Sequence, residues 1–215
     1  MTGKITINKQ SSIRILGEKT IYFDPWDVPM KEKDADIIFI THEHSDHYSP
    51  EDIKALLKDD GVLVLPEKLR DKAIKETGFS SERIVGVFPD NEYDIAGISV
   101  RSVVAYNKMK PFHMKGAGWC GYIVTMDGTS YYAMGDTDAV KELLDVSCDV
   151  LFIPIGGKFT MNLKEAITYT LSIKPKIAVP IHYGDIVGKP EDGAKFKKAV
   201  EAENPDIKVE LILKV

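Results

Sequence analysis

The stretch Thr41-His42-Glu43-His44-Ser45-Asp46-His47 holds three of the chain's five histidines, with an aspartate among them. Neutral imidazoles and a carboxylate packed this closely form the floor of a metal site. The stretch follows the compact apolar run Asp36-Ile37-Ile38-Phe39-Ile40, which reads as a strand. A strand that empties into a histidine-rich loop puts candidate ligands at the rim of a sheet, where a rigid scaffold holds them. Ser49-Pro50-Glu51-Asp52 then opens a helix, with a cap residue, proline at the first position and acids in the first turn. That helix is expected over 50–59, with Gly61 stopping it.

Upstream, 4–8, 12–16 and 19–23 are short β-prone runs broken by Gln10-Ser11 and Gly17-Glu18, and they read as an antiparallel meander ending at Asp24-Pro25-Trp26. Downstream, strands are expected over 61–65, 83–88, 93–95 and 98–105, with a helix over 67–77 ended by Gly78. Residues 119–126 and 130–134 form a hairpin over Asp127-Gly128. The rest alternates: helix 139–144, strand 150–155, helix 163–171 capped by Asn162, strand 176–181, helix 193–203 and strand 207–213. Early hairpins followed by strand–helix alternation make this an α/β chain of two sheets with helices outside, and the whole of 1–215 reads as a single domain.

A metal needs ligands from several strand ends. Asp136 follows one expected strand, His182 follows another, and His113 lies in the loop before Gly116-Ala117-Gly118. With the opening cluster, the candidate ligands are His42, His44, Asp46, His47, His113, Asp136 and His182. Seven exceed one tetrahedral ion and suit two ions about 3.5–4 Å apart that share a carboxylate. His42 and His44 can face one ion, Asp46 and His47 the other. Asp136 is the natural bridge, and His182 completes the second ion. A ligand imidazole gives its other N–H to an acceptor, and Asp24 is the best placed. Histidine and aspartate without cysteine suit zinc, manganese, iron or nickel alike; of these, two zinc ions are expected.

Composition limits the remaining choices. At 215 residues and 44% hydrophobic, the chain can bury a substantial core. No apolar run approaches the roughly 20 residues needed to cross a bilayer, so no membrane partner is expected. The first residues lack the apolar core of a signal peptide, and a cytoplasmic location is expected. A formal net charge of −5 with scattered basic residues argues against a nucleic-acid surface. Two cysteines, Cys120 and Cys148, make no disulfide framework. A homo-oligomer is compatible with this composition.

His42-x-His44-x-Asp46-His47, Gly135-Asp136-Thr137 and Pro180-Ile181-His182-Tyr183 resemble the motifs of the metallo-β-lactamase superfamily. Asp24-Pro25-Trp26 and Trp119-Cys120-Gly121-Tyr122 resemble its L-ascorbate-6-phosphate lactonase-like branch, and N-acyl-phosphatidylethanolamine phospholipase D shares similar local features. The resemblance implies a four-layer αββα sandwich with a binuclear site along one edge of the two sheets. One departure stands out. The family usually places a histidine of the first metal where this chain has Asn107. His113 is the remaining unassigned histidine, and its loop is long enough to fold back into that place.

The chemistry expected is hydrolysis, with a metal-bridging hydroxide attacking a small ester, lactone or phosphodiester and Asp46 orienting it. Lys158, in Gly156-Gly157-Lys158-Phe159-Thr160-Met161, is placed to hold an anionic substrate group, and Asn107 is a further candidate substrate contact. No Gly-x-Ser-x-Gly elbow and no Walker motif occurs. Two other readings compete. A non-catalytic metal-binding or sensor protein would use the same ligands without turnover. A nuclease of the superfamily would want a basic groove, which this acidic chain lacks.

Overall fold

A computed structural model of the chain describes residues 5–29, 31–108 and 110–215. Lys4, at the start of the first expected strand, lies outside them, as do the other N-terminal residues weighed above for a leader. The first sheet has six strands in the order of the chain: β1 (Ile5–Ile7), β2 (Ile13–Leu16), β3 (Thr20–Phe23), β4 (Ala35–Phe39), β5 (Leu57–Pro66) and β6 (Ile84–Val87). β1 to β3 are antiparallel, and β3 to β6 are parallel. The second sheet has seven: β7 (Glu92–Ile95), β8 (Ile98–Val104), β9 (Cys120–Met126), β10 (Thr129–Ala133), β11 (Val150–Pro154), β12 (Ile177–Ile181) and β13 (Lys208–Val209). It repeats the plan, antiparallel from β7 to β10 and parallel from β10 to β13. Helices α1 (Pro50–Leu56), α2 (Arg70–Thr77), α3 (Leu163–Ile173) and α4 (Asp192–Glu203) supply the crossovers from β4 to β5, β5 to β6, β11 to β12 and β12 to β13.

The apolar run of β4 is continuous because both of its faces are covered. Ile37 and Phe39 join Ile13, Ile21 and Val64 in the core shared with Val100, Tyr122, Val124 and Phe152 of the second sheet. Ile38 and Ile40, one residue out of phase, pack with Ile53, Leu56 and Ala73 of the helices outside. On the far side, Ala166 and Tyr169 of α3 and Phe196 and Val200 of α4 cover the second sheet. Stacked Phe23 and Phe39 (ring centroids 5.2 Å apart) meet Tyr122 (5.1 Å), whose hydroxyl donates to the Ile40 carbonyl at 2.8 Å. This bond joins the sheets where β4 runs into the histidine loop.

The expected helix over 67–77 opens with a 3-10 turn, Glu67–Leu69, before α2, and the structure departs further from expectation in three places. α1 ends at Leu56, not near residue 59, because Leu57 turns extended and buries itself opposite Ala35 through a bulge, starting β5. The expected helix over 139–144 is a single 3-10 turn, Lys141–Leu143. The expected strand over 207–213 pairs at Lys208 and Val209 alone. Both cysteines are free and buried.

Candidate metal centre

The two sheets present their loops at one end, and the centre forms there. After β4 the chain tightens: the amides of His47 and Tyr48 both donate to the His44 carbonyl, at 2.9 and 2.8 Å. Asp24, just past β3 and buried, receives the next layer of bonds. Its carboxylate accepts from the Thr41 amide (2.7 Å), the Thr41 hydroxyl (2.7 Å) and His47 Nδ1 (2.7 Å). Thr41 Oγ1 is also 3.0 Å from His42 Nδ1. Asp136 comes from the turn after β10. There Gly135 has φ +66, and a Cβ on it would stand 2.9 Å from the Thr41 Cβ, so only glycine lets this turn close under the histidine loop. His182 leaves β12 with its amide donating across to the Gln10 carbonyl at 3.2 Å.

The side chains gather in two groups around one carboxylate. On one side, ligand atoms of His42, His44 and His113 lie within 4.8 Å of one another, and His42 Nε2 is 3.0 Å from His44 Nδ1. On the other, Asp46, His47 and His182 form an equivalent cluster. Asp46 Oδ2 is 3.3 Å from His182 Nε2 and 3.5 Å from His47 Nε2. Asp136 divides its oxygens between the groups. Oδ2 is 3.3 Å from His113 Nε2, while Oδ1 is 3.3 Å from His47 Nε2 and 3.4 Å from His182 Nε2.

These residues fit divalent cations. His47 Nε2, His113 Nε2, His182 Nε2 and Asp136 Oδ1 are buried and make no hydrogen bond of acceptable geometry, although they converge. Buried polar atoms without partners are costly unless an ion supplies what is missing. Burial and the neighbouring histidine charges hold the His42 and His44 imidazoles below their ordinary range, in the neutral form that ligates. Burial pushes the Asp136 and Asp46 carboxyls up, but the surrounding imidazoles outweigh it and keep both far below the usual range. His47 behaves differently: burial disfavours its charge, yet Asp136, Asp24 and Asp46 drive it well above the ordinary value. The carboxylates gathered around it leave an excess of negative charge at the point where a cation would sit.

Gln10, Asp24, His113 and His182 all hold left-handed backbone, with φ between 45° and 60°. Each such residue costs roughly 1–2 kcal/mol, and backbone strain collects at functional sites.

Each residue singled out in the sequence has a definite place. The loop after Asn107 folds back, with the Asn107 amide donating to the His113 carbonyl at 2.7 Å, and it delivers His113 to the first group. Asn107 itself is buried, and its Nδ2 donates to the Phe159 carbonyl at 2.6 Å and lies 3.3 Å from His113 Nδ1. It ties two loops together and does not open toward a substrate. Lys158 is exposed, with Nζ 5.1 Å from the centroid of the Phe159 ring. At Gly156 the close approach is made by the protein itself: a Cβ there would stand 2.4 Å from the His182 carbonyl oxygen. Sequence reading missed Thr41 and Thr137. The Thr137 hydroxyl donates to the Tyr106 carbonyl (3.0 Å) and accepts from its amide (3.1 Å), pinning the exit of β8 to that of β10. The only sequence signal for either was its position beside a candidate ligand.

The geometry agrees with comparison to known proteins. The sequence model of the beta-lactamase superfamily domain matches residues 4–182. A UPF0173 metal-dependent hydrolase of Pyrococcus furiosus is 30% identical over 210 residues, covering 92% of each chain. The crystal structure of a Parabacteroides distasonis protein described as a metal-dependent hydrolase has a TM-score of 0.81 at 28% identity, covering 98% of this chain and 93% of that one. A metallo hydrolase of Ignicoccus hospitalis shares the fold, with a TM-score of 0.79 at 22% identity over 96% of this chain and 93% of its own. The two-sheet fold, the convergent histidine and aspartate set and these relatives agree: the chain belongs to the metallo-β-lactamase superfamily, in the UPF0173 family of metal-dependent hydrolases.

Proposed function

We propose that the centre is binuclear and that it hydrolyses a small ester, lactone or phosphodiester. The observation that carries this reading is the division of Asp136 between two donor groups, one oxygen toward His113 and the other toward His47 and His182. His42, His44 and His113 would hold one ion, Asp46, His47 and His182 the other, and Asp136 would be shared. Divalent ions, zinc being the best match to these donors, supply Lewis acidity that acidifies water and polarises a carbonyl or phosphoryl oxygen.

The chain's own groups do the rest. Asp46 and His44 are only partly buried, so they mark the open side of the centre. There the Asp46 carboxylate would orient the attacking water by accepting its hydrogen bond. Asp24 keeps His47 turned inward, with Nδ1 held at 2.7 Å. Lys158, exposed beside Phe159, would meet an anionic group on the substrate. The resemblance of Asp24-Pro25-Trp26 and Trp119-Cys120-Gly121-Tyr122 to the lactonase-like branch supports a carbonyl or phosphate ester over other bonds.

Metal analysis combined with turnover of bis-p-nitrophenyl phosphate and simple lactones tests the reading. Two ions per chain and metal-dependent release of product are expected. One ion at saturation would overturn the binuclear assignment, and two ions without turnover on either substrate class would overturn the hydrolytic one.

A further inference from the structure

Aromatic rings line the approach to the first ligand group. Trp119 lies 4.8 Å from His42, 5.2 Å from His44 and 5.2 Å from His113, centroid to centroid. Phe159 continues the surface 6.3 Å beyond His113, and Phe112 meets Phe159 edge to face at 5.3 Å and 82°. His113 is buried, yet its two chain neighbours are exposed apolar side chains, Phe112 at 48% and Met114 at 66%. Trp119 and Phe159 are half-buried. Large apolar groups left in water and gathered at one place mark a binding surface.

We propose that this shelf receives an aromatic or similarly broad apolar group carried next to the scissile bond, so that the substrate is an aryl or bulky apolar ester, lactone or phosphodiester. The inference rests on the hydrolytic reading of the centre. Its own support is independent of that reading: Trp119, Phe159 and Phe112, each at least partly exposed, extend outward from the ligand imidazoles, and a ring laid against them gains the contacts that aromatic groups favour. The packed pair Phe112 and Phe159 borders His113. A group seated on this surface lies beside the candidate ligand His113. Lys158 Nζ, 5.1 Å from the Phe159 centroid, puts one positive charge on the rim of an otherwise apolar surface. That pattern suits an amphipathic small molecule, with its ring on the shelf and its anionic group near the lysine.

Titration calorimetry of the zinc-loaded protein with phenylphosphonate and methylphosphonate tests this. The phenyl compound is expected to bind about tenfold or more tighter, since partial burial of one ring is worth roughly that factor. Phe112→Ala, at an exposed position where the fold does not depend on the ring, should bring the ratio toward one. Phe159→Leu should reduce it in part. Equal affinities in the unaltered protein, a ratio unchanged in both variants, or no binding of either phosphonate would overturn the proposal. Comparing hydrolysis of phenyl and methyl esters separates the two readings. Turnover without a phenyl preference removes the shelf and keeps the hydrolase. A phenyl preference in binding without turnover of any ester, lactone or phosphodiester removes the hydrolytic reading and keeps the shelf.

Discussion

One buried carboxylate, Asp24, orients an imidazole on each side of the candidate centre. It accepts His47 Nδ1 directly at 2.7 Å. It also accepts the Thr41 hydroxyl, which in turn is 3.0 Å from His42 Nδ1. A hydroxyl that donates to Asp24 can only accept from His42, so both rings carry their proton on Nδ1 and present Nε2 inward. Asp24→Asn keeps the shape but places an amide where the acceptor stood. Zinc affinity, measured by competition with a chromophoric chelator, should fall about 10–100-fold. An unchanged affinity would show that the ring orientation does not depend on Asp24. Thr41→Val cuts the indirect arm alone, so under the proposed binuclear reading zinc binding at His42 should weaken while binding at His47 keeps its strength. Equal weakening of both would count against the relay. The histidines were legible in the sequence because their type is rare and their chemistry narrow. Thr41 was not, because a threonine beside a histidine has many ordinary meanings, and only the approach of β3 to β4 brings Asp24 within its reach.

Elements were legible where a local rule decides them. Asp127 and Gly128 both hold positive φ, 51° and 68°, as a two-residue hairpin turn demands, and the expected hairpin of β9 and β10 is present. Asn162 accepts from the Glu165 amide at 3.0 Å while Glu165 reaches back to the Asn162 amide at 2.9 Å, so the start of α3 follows from four residues. The end of α1 was not legible, because it is set by a tertiary event, the burial of Leu57 against β4. The end of α3 shows a remaining conflict. Lys174 caps it in the left-handed conformation, φ 50, without glycine's freedom. Relief of that strain, less the greater flexibility of glycine in the unfolded chain, should make Lys174→Gly more stable by about 0.5–1 kcal/mol. Urea unfolding with an unchanged m-value checks it, and a loss of stability would mean that the lysine side chain contributes more than its backbone costs.

At the scale of the whole molecule, the order of strands in the two sheets could not be read from the chain. Strands buried on both faces are continuous apolar runs, and such runs carry no record of which neighbour they pair with. The same deep burial gives the molecule its behaviour in alkali. Burial in the shared core pushes the Cys120 and Cys148 thiols up to about 12 from their ordinary 9.0. It drives the fully buried Tyr122 and Tyr132 well above 10.0. In the unfolded chain these groups ionise at their ordinary values, so above about pH 9 the unfolded state binds fewer protons than the native one. Stability then falls as pH rises, by as much as about 1.4 kcal/mol per pH unit for each group whose ionisation the fold resists. The contribution is complete below pH 9 and is lost as pH climbs toward the native values. Seven of the nine tyrosines are buried and the other two half-buried, so tyrosinate absorbance and far-UV circular dichroism followed together should show most of the ionisation held back until the dichroism is lost. Tyr122 and Tyr132, fully buried, ionise only in the step where the dichroism is lost. Ionisation of all nine in one smooth transition before any loss of structure would show that water reaches the core these sheets enclose.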